Sequence, residues 1–531
     1  MIIKRAVDIA IDNVLKEGLT DIFSRPFEVD FLKNNAFRKV IHAIVCNALN
    51  GHNLQGLAVY PIAKVLYPKN NVFDFRSCAL MQPLDTIKYT SLVMLAAEEI
   101  EKARIPKNKK VVFSYRVKPQ KGYIFDYNAN LTSFRNEAIR RSKLKKVKVI
   151  AKCDIANFYD RINLHRLESI LLSLKLDQWI VKLINELLLF WSGRNSYSLP
   201  VGSNASRILA EACLLEVDRF LYSNKVNFIR FVDDYRFFAP DAKTAHYWIT
   251  LLIERLSLEG LSLNPSKTLI EEAAAFEGIQ EMKESTNKKK VRQDIPRAFV
   301  HGYGGIVPVK FREASESEKK VLSKKSGRRL LSALNAKPII EPDEFKELCK
   351  IILYNQQWKL FLELPSLLEK FPQFFPYVTD MLIKYSDVIP VRISSAIADK
   401  LANELNKKEK LPEYIATAIV RLIGNKKFSK KDALIKYFRD LRRNAGPYIG
   451  RATIDALTEV ADRGDVIEIR NCYDRADLWE KRSIIRLVYS KLTEEEQRPW
   501  LKNIKLHVAE DPFSVEIFEP KKSKKGKKKK P

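Results

Sequence analysis

The stretch Val226-Asn227-Phe228-Ile229-Arg230-Phe231-Val232-Asp233-Asp234-Tyr235-Arg236-Phe237-Phe238-Ala239 decides how this chain is read. Two short runs rich in aromatic and β-branched residues enclose an acidic pair, the pattern of a hairpin with both carboxylates at its tip. Taken alone, adjacent aspartates in a turn are most often a solvated loop, because their side chains bond readily to their own backbone. The sharper reading is a nucleotide-handling metal site, since magnesium takes oxygen ligands and shares one or two carboxylates with substrate phosphates. The neighbouring segments decide between the two.

Upstream, Lys146-Val147-Lys148-Val149-Ile150-Ala151-Lys152-Cys153-Asp154-Ile155-Ala156-Asn157-Phe158-Tyr159-Asp160 alternates lysine with small apolar residues. This is a half-buried strand, with Asp154 where it ends. In isolation Asp154 would be an N-cap for the helix that follows. Beside the hairpin it would complete a set of three carboxylates, whose mutual repulsion calls for bound divalent cations. Between the two segments lies Leu199-Pro200-Val201-Gly202-Ser203-Asn204-Ala205-Ser206, followed by a helix over 207–221. Pro and Gly ahead of small polar residues let backbone come close to a ligand, and Asn204 or Ser206 can cap that helix. Downstream, Gly260-Leu261-Ser262-Leu263-Asn264-Pro265-Ser266-Lys267-Thr268 is a turn with a single lysine. Residues 111–119 have strand chemistry and carry Arg116 and Lys118, suited to a triphosphate or, more commonly, to a solvated strand face.

Composition agrees with a polyanionic partner. Of 531 residues, 46% are hydrophobic and 30% charged, and Lys+Arg 93 against Asp+Glu 64 leaves a net charge of +29. The lysines of 521–530 hold only part of that excess, so a basic surface or channel is expected on the folded part as well. Cys46, Cys78, Cys153, Cys213, Cys349 and Cys472 show no CxxC spacing and read as reduced core residues. The six histidines lack ligand spacing, which argues against zinc. No run approaches the ~20 apolar residues of a membrane span and no signal sequence is read at Met1-Ile2-Ile3-Lys4-Arg5, so a cytoplasmic protein without membrane contact is expected.

In this order the segments resemble the palm of reverse transcriptases over about residues 80–275. Asp154 to Tyr159 looks like the first catalytic motif, Leu199 to Ser206 the second, Phe231 to Asp234 the xDD box, and Leu263 to Thr268 the fourth. The resemblance implies a DNA nucleotidyltransferase, an RNA-directed DNA polymerase in which Asp154, Asp233 and Asp234, with Ile155 beside them, hold two Mg2+ ions, Mn2+ being an alternative. It makes Tyr159 the gate against a ribose 2′-hydroxyl, with Phe158 next to it, sets Gly202 against the nascent base pair, gives Arg116 the triphosphate, and makes Lys267 the acid for pyrophosphate. Two positions depart from the common pattern: Phe231 replaces Tyr, and Val201 replaces Gln before the Gly. The strings Leu199-Pro200-Val201-Gly202, Ser206-Arg207, Ala210-Glu211 and Phe113-Ser114-Tyr115-Arg116 look most like the abortive-infection and other phage-defence reverse transcriptases of bacteria.

The expected fold is α+β, with right-hand fingers and palm followed by an all-α, HEAT-like helical-repeat domain. Residues 1–110 read as mostly helical, 111–285 as fingers and palm, 286–314 as a basic, Gly-rich linker, 315–515 as proline-separated amphipathic helices, and 516–531 as a lysine-rich tail. The basic helix of 430–443 is a candidate for gripping nucleic acid. Expected partners are deoxynucleoside triphosphates, RNA or single-stranded DNA, and a non-coding RNA, a partner defence protein or a second copy of the chain. Three functions follow: a phage-defence polymerase, either templated by non-coding RNA or template-independent and protein-primed; a conventional copier from a retron or intron-like element; and an RNA-binding scaffold with a vestigial palm.

Overall fold

The computed structural model describes residues 1–275 and 310–519, apart from 21, 70–73, 194, 339, 341, 408–409 and 442–445. Most of the expected linker, 286–309, and residues 520–531 of the expected tail lie outside the described residues. The chain divides into two compact units. One holds Met1–Ile62 and, among the described residues, 81–275; the other holds Ala63–Leu80 and 310–519.

In the first unit α1 (Ile3–Glu17), α2 (Glu28–Phe31), α3 (Asn35–Asn50) and α4 (Leu54–Leu57) precede the long α5 (Pro83–Ala103). Proline in its first turn and Asp85 near its N-terminus suit the start of α5, and burial on nearly every face from Pro83 to Ala97 makes it the unit's central post. Helices α1 and α3 pack on it. After β3 (Val117–Gln120), β4 (Tyr123–Phe125) and α6 (Leu131–Ser142), strand β5 (Val149–Asp154) runs into α7 (Phe158–Arg161), α8 (Leu164–Leu172) and α9 (Gln178–Trp191). Helices α10 (Asn204–Cys213) and α11 (Leu215–Ser223) then lead to β6 (Phe228–Phe231), β7 (Asp234–Ala239), α12 (Ala242–Leu258) and β8 (Leu269–Glu272).

The last four strands form one antiparallel sheet in the order β6-β7-β5-β8. Its side-chain period of two sorts residues cleanly. Ile150, Ile229 and Phe238 face α6, where they meet Phe134 and Ala138 in a core cluster. Burying each of those large side chains stabilises the unit by about 1.5–3 kcal/mol. Helix α12 also packs on β5 and β7. Register sets Asp154 opposite Asp234 at one end of the sheet and Val149 opposite Ala239 at the other.

Among its described residues the second unit is helical apart from one hairpin. Within residues 1–110, expected to be mostly helical, β1 (Ala63–Pro68) and β2 (Phe75–Leu80) pair antiparallel and belong to this unit. Tyr67 and Phe75 set their rings 6.0 Å and 6.3 Å from Tyr414. Tyr414 lies on Glu413–Ile423, one of a run of stacked helices: α13 (Phe375–Lys384), α14 (Val391–Leu405), α15 (Glu413–Ile423), α16 (Lys431–Leu441), α17 (Pro447–Val460), α18 (Arg463–Arg470), α19 (Leu478–Lys491), α20 (Glu494–Ala509) and α21 (Pro512–Phe518). Helices α13, α15, α17, α19 and α21 stack in succession, and α14, α16, α18 and α20 each pack on the next member of that stack. Ion pairs rivet neighbouring pairs of helices: Lys430 to Asp399, Lys431 to Asp462, Arg439 to Glu468, Arg463 to Glu496 and Arg482 to Asp511. Three cations of the expected nucleic-acid-gripping helix, Lys430, Lys431 and Arg439, are thus paired with acids of the helical stack.

Candidate active site

Phe231 pairs with Asp234, so Val232 and Asp233 form a two-residue turn between β6 and β7. Such turns require positive φ at their first central position, and Val232 supplies it at φ 57. A β-branched residue there is strained and persists only where its surroundings hold it. Next to the turn, the Ile155 amide donates to the Asp233 carbonyl at 3.1 Å, tying the end of β5 to the acid pair. Asp154, Asp233 and Asp234 therefore meet at one end of the sheet, as the sequence implied.

Two cations border them. Lys267, in the short 3-10 turn Pro265–Lys267, sets Nζ 3.1 Å from Asp154 Oδ2, and Arg236 places Nη2 3.0 Å from Asp234 Oδ2. The Asn264 amide donates to the Asp154 carbonyl at 2.7 Å, which holds the Lys267 turn against β5. Burial pushes the Asp234 carboxyl up to about 7; the charges of Asp233 and Asp154 add to the push, while Arg236 and Lys152 oppose it. The acids are thus crowded enough to disfavour full ionisation without a cation.

That crowding and the all-oxygen donor set fit a divalent ion. Among the described residues no group of three or more His, Cys, Asp or Glu forms a ready-made metal cage. A magnesium site needs none, since that ion keeps several waters and completes its shell with substrate phosphates.

The remaining expected residues are placed differently. Arg116 is buried, its guanidinium bonded to Glu101 Oε1 at 2.9 Å and to the carbonyls of Ile105 at 2.5 Å and Val112 at 3.3 Å. This corrects the triphosphate assignment: the geometry commits Arg116 to the interior, while Lys118 two residues on is exposed. Phe158 and Tyr159 are buried, with ring centroids 5.5 Å apart. Gly202 is also buried, at φ 119, and a Cβ there would meet Thr20 Oγ1 at 2.7 Å. Thr20 of the N-terminal segment therefore lies against Gly202, the residue expected to face a nascent base pair. Asn204 extends this contact, its Nδ2 donating to Asn13 Oδ1 at 3.0 Å and Glu17 Oε2 at 2.9 Å.

The sequence reading missed what lies under the turn. Arg230 is fully buried and binds Asp218 through Nε at 2.9 Å, Glu211 through Nη2 at 2.9 Å, and the Val232 carbonyl through Nη1 at 2.8 Å. Glu211 also accepts from Ser114 Oγ and Arg104 Nη2, both at 2.6 Å. Burial raises the Glu211 carboxyl, but Arg230 and Arg104 outweigh it and hold it below the ordinary value. A signal was present: an arginine inside an apolar strand, with acids at 211 and 218 on one face of the expected helix.

A sheet end that gathers three carboxylates and a lysine can hold divalent ions against a phosphate-bearing substrate. Residues 91–292 match the family described as reverse transcriptase (RNA-dependent DNA polymerase), so the chain carries a reverse transcriptase domain and is an RNA-directed DNA polymerase. Among solved structures it is similar to telomerase from Candida albicans in complex with a fragment of telomeric RNA, at 12% identity over 80% of this chain and 70% of that one, with a TM-score of 0.30. It is also similar to telomerase from Candida tropicalis in a like complex, at 13% identity over 72% and 68%, with a TM-score of 0.26. No curated protein matches it. Among the described residues no helix is long and apolar enough to cross a membrane, and five of the six cysteines are buried.

Proposed function

We propose that this chain is a divalent-metal-dependent reverse transcriptase of bacterial anti-phage defence, of the abortive-infection type, acting in the cytoplasm. The observation that carries the enzymatic part is the register of Asp154 against Asp234, with Asp233 in the adjoining turn and Lys267 on Asp154. Asp154, Asp233 and Asp234, with the Ile155 backbone, would hold two Mg2+ ions. Bound there, the ions supply activation of a 3′-hydroxyl toward the α-phosphate and stabilisation of the departing pyrophosphate. Lys267, 3.1 Å from Asp154, would serve as the acid for the leaving pyrophosphate. Tyr159, with Phe158 packed against it, excludes the 2′-hydroxyl. The defence assignment rests on the motif strings quoted above and on the stacked helical pairs, which we read as a HEAT-like repeat.

Exposed Lys143, Lys145, Lys146 and Lys148 near the start of β5 suit RNA or single-stranded DNA. The packing of Thr20 against Gly202 favours synthesis in which an ordinary template does not enter freely, hence a bound non-coding RNA or template-independent, protein-primed extension, over a retron-like or intron-like copier. Two experiments test the reading. Asp233→Asn with Asp234→Asn should abolish nucleotide incorporation and leave the melting profile intact; undiminished incorporation removes the enzymatic assignment and leaves the RNA-binding scaffold. Sequencing nucleic acid that copurifies with the protein, alongside products made on supplied RNA templates, separates the defence reading from a conventional copier.

A further inference from the structure

Strand alternation puts Arg230 on the face of the sheet away from Asp154 and Asp234, beneath the turn. We propose that Arg230 is a positioning residue for polymerisation: by holding the Val232 carbonyl it keeps Val232 left-handed and so fixes where the carboxylates of Asp233 and Asp234 lie. This rests on the polymerase reading of the site.

Three observations support it. First, every guanidinium nitrogen is used. Nε and Nη2 bind Asp218, Nη1 and Nη2 bind Glu211, and Nη1 alone reaches the Val232 carbonyl, so the two acids fix the orientation of the group that restrains the turn. Second, Val232 at φ 57 needs such a restraint, because valine does not rest in that conformation unaided. Third, the same network restrains a second strained residue. Arg104, bound to Glu211, donates to the Tyr115 carbonyl at 3.0 Å, and Tyr115 stands at φ 42 in the segment leading into β3. Two guanidiniums and two carboxylates thus pin two left-handed residues, one of them beside the reacting acids. A buried ion cluster is weak evidence for added stability, since apolar replacements often fold as well; its better-attested use is to specify one geometry.

The test is a double-mutant cycle with the full-length protein, following primer or self-primed extension. Lysine at 230 keeps the charge but has one nitrogen, so Arg230→Lys cannot hold both acids and the carbonyl together. Its kcat should fall about 100-fold, the scale on which small misplacements of reacting groups act, with the nucleotide KM within about threefold. Glycine adopts the left-handed turn at no cost, so Arg230→Lys in a Val232→Gly background should lose only about tenfold or less. If Arg230→Lys does not fold, Arg104→Lys loosens Glu211 from the far side, and its smaller loss of kcat should likewise shrink in the Val232→Gly background. Equal losses with and without Val232→Gly, or a rise in KM that accounts for the defect, make the arginine merely structural and overturn the proposal. Wild-type protein that adds no nucleotide removes the polymerase reading itself; wild-type activity matched by full kcat in Arg230→Lys removes only this inference.

Discussion

Replacing Gly202 with alanine separates two costs that the structure places at one residue. The backbone stands at φ 119, where an L side chain is strained by about 1–2 kcal/mol or more. The new methyl would also meet Thr20 Oγ1 at 2.7 Å and Thr20 Cβ at 3.3 Å, an overpacking that costs a further 1–3 kcal/mol by the usual scale, about 2–5 kcal/mol in all. Thr20→Ala removes the nearer obstacle. By itself it loses the hydroxyl that accepts from the Ile22 amide at 3.1 Å, worth about 1 kcal/mol. In the double variant the steric part should be largely recovered and the backbone part retained, giving a favourable coupling of about 1–2 kcal/mol between positions far apart in sequence. Urea unfolding of wild type, the two single variants and the double variant measures this from the midpoints. Purely additive losses would show that Thr20 does not occupy the space beside Gly202. Complete recovery would show that the backbone carries no strain there.

Two further outcomes concern nucleotide choice and pH. Tyr159→Ala should admit ribonucleotides, with the ratio of deoxy- to ribonucleotide kcat/KM falling by about tenfold or more; an unchanged ratio in an active variant overturns the gate assignment. Glu480, in the capping box of α19, is pushed up to about 7 by burial and by the charge of Asp477. Because its folded value exceeds the unfolded one, this group costs nothing below about pH 4.5, and its penalty builds up between about 4.5 and 7 and is complete above 7. Glu480→Gln keeps an oxygen for the cap and should raise stability by up to about 3 kcal/mol at pH 8, with the difference vanishing in acid; a pH-independent effect would refute this.

What could be read in advance follows from how locally each feature is determined. Asp233 and Asp234 sit at a hairpin tip announced by its flanking aromatics, and Asp154 ends a strand announced by alternation, so their meeting needed only that two short strands pair. Lys267 came with them because its turn is bonded to the same strand. Arg116 was misplaced because its partner Glu101 lies on α5, and nothing in the local pattern reveals that neighbour. The cations of 430–439 looked available for the same reason: Asp399, Asp462 and Glu468, which occupy them, lie one helical pair away. The β1–β2 hairpin escaped notice because its strands are short and their burial is completed by Tyr414, hundreds of residues later.

That hairpin also constrains the order in which the molecule can be built. Residues 63–80 leave the ribosome long before the helices that shelter Tyr67 and Phe75. Until those helices arrive, a two-stranded ribbon has too little company to be stable, and closing so long a loop is slow. Synthesis of the distal half is therefore a precondition for finishing an early piece of the proximal half, and a fragment beginning at 310 would lack the strands that cover its own aromatic surface.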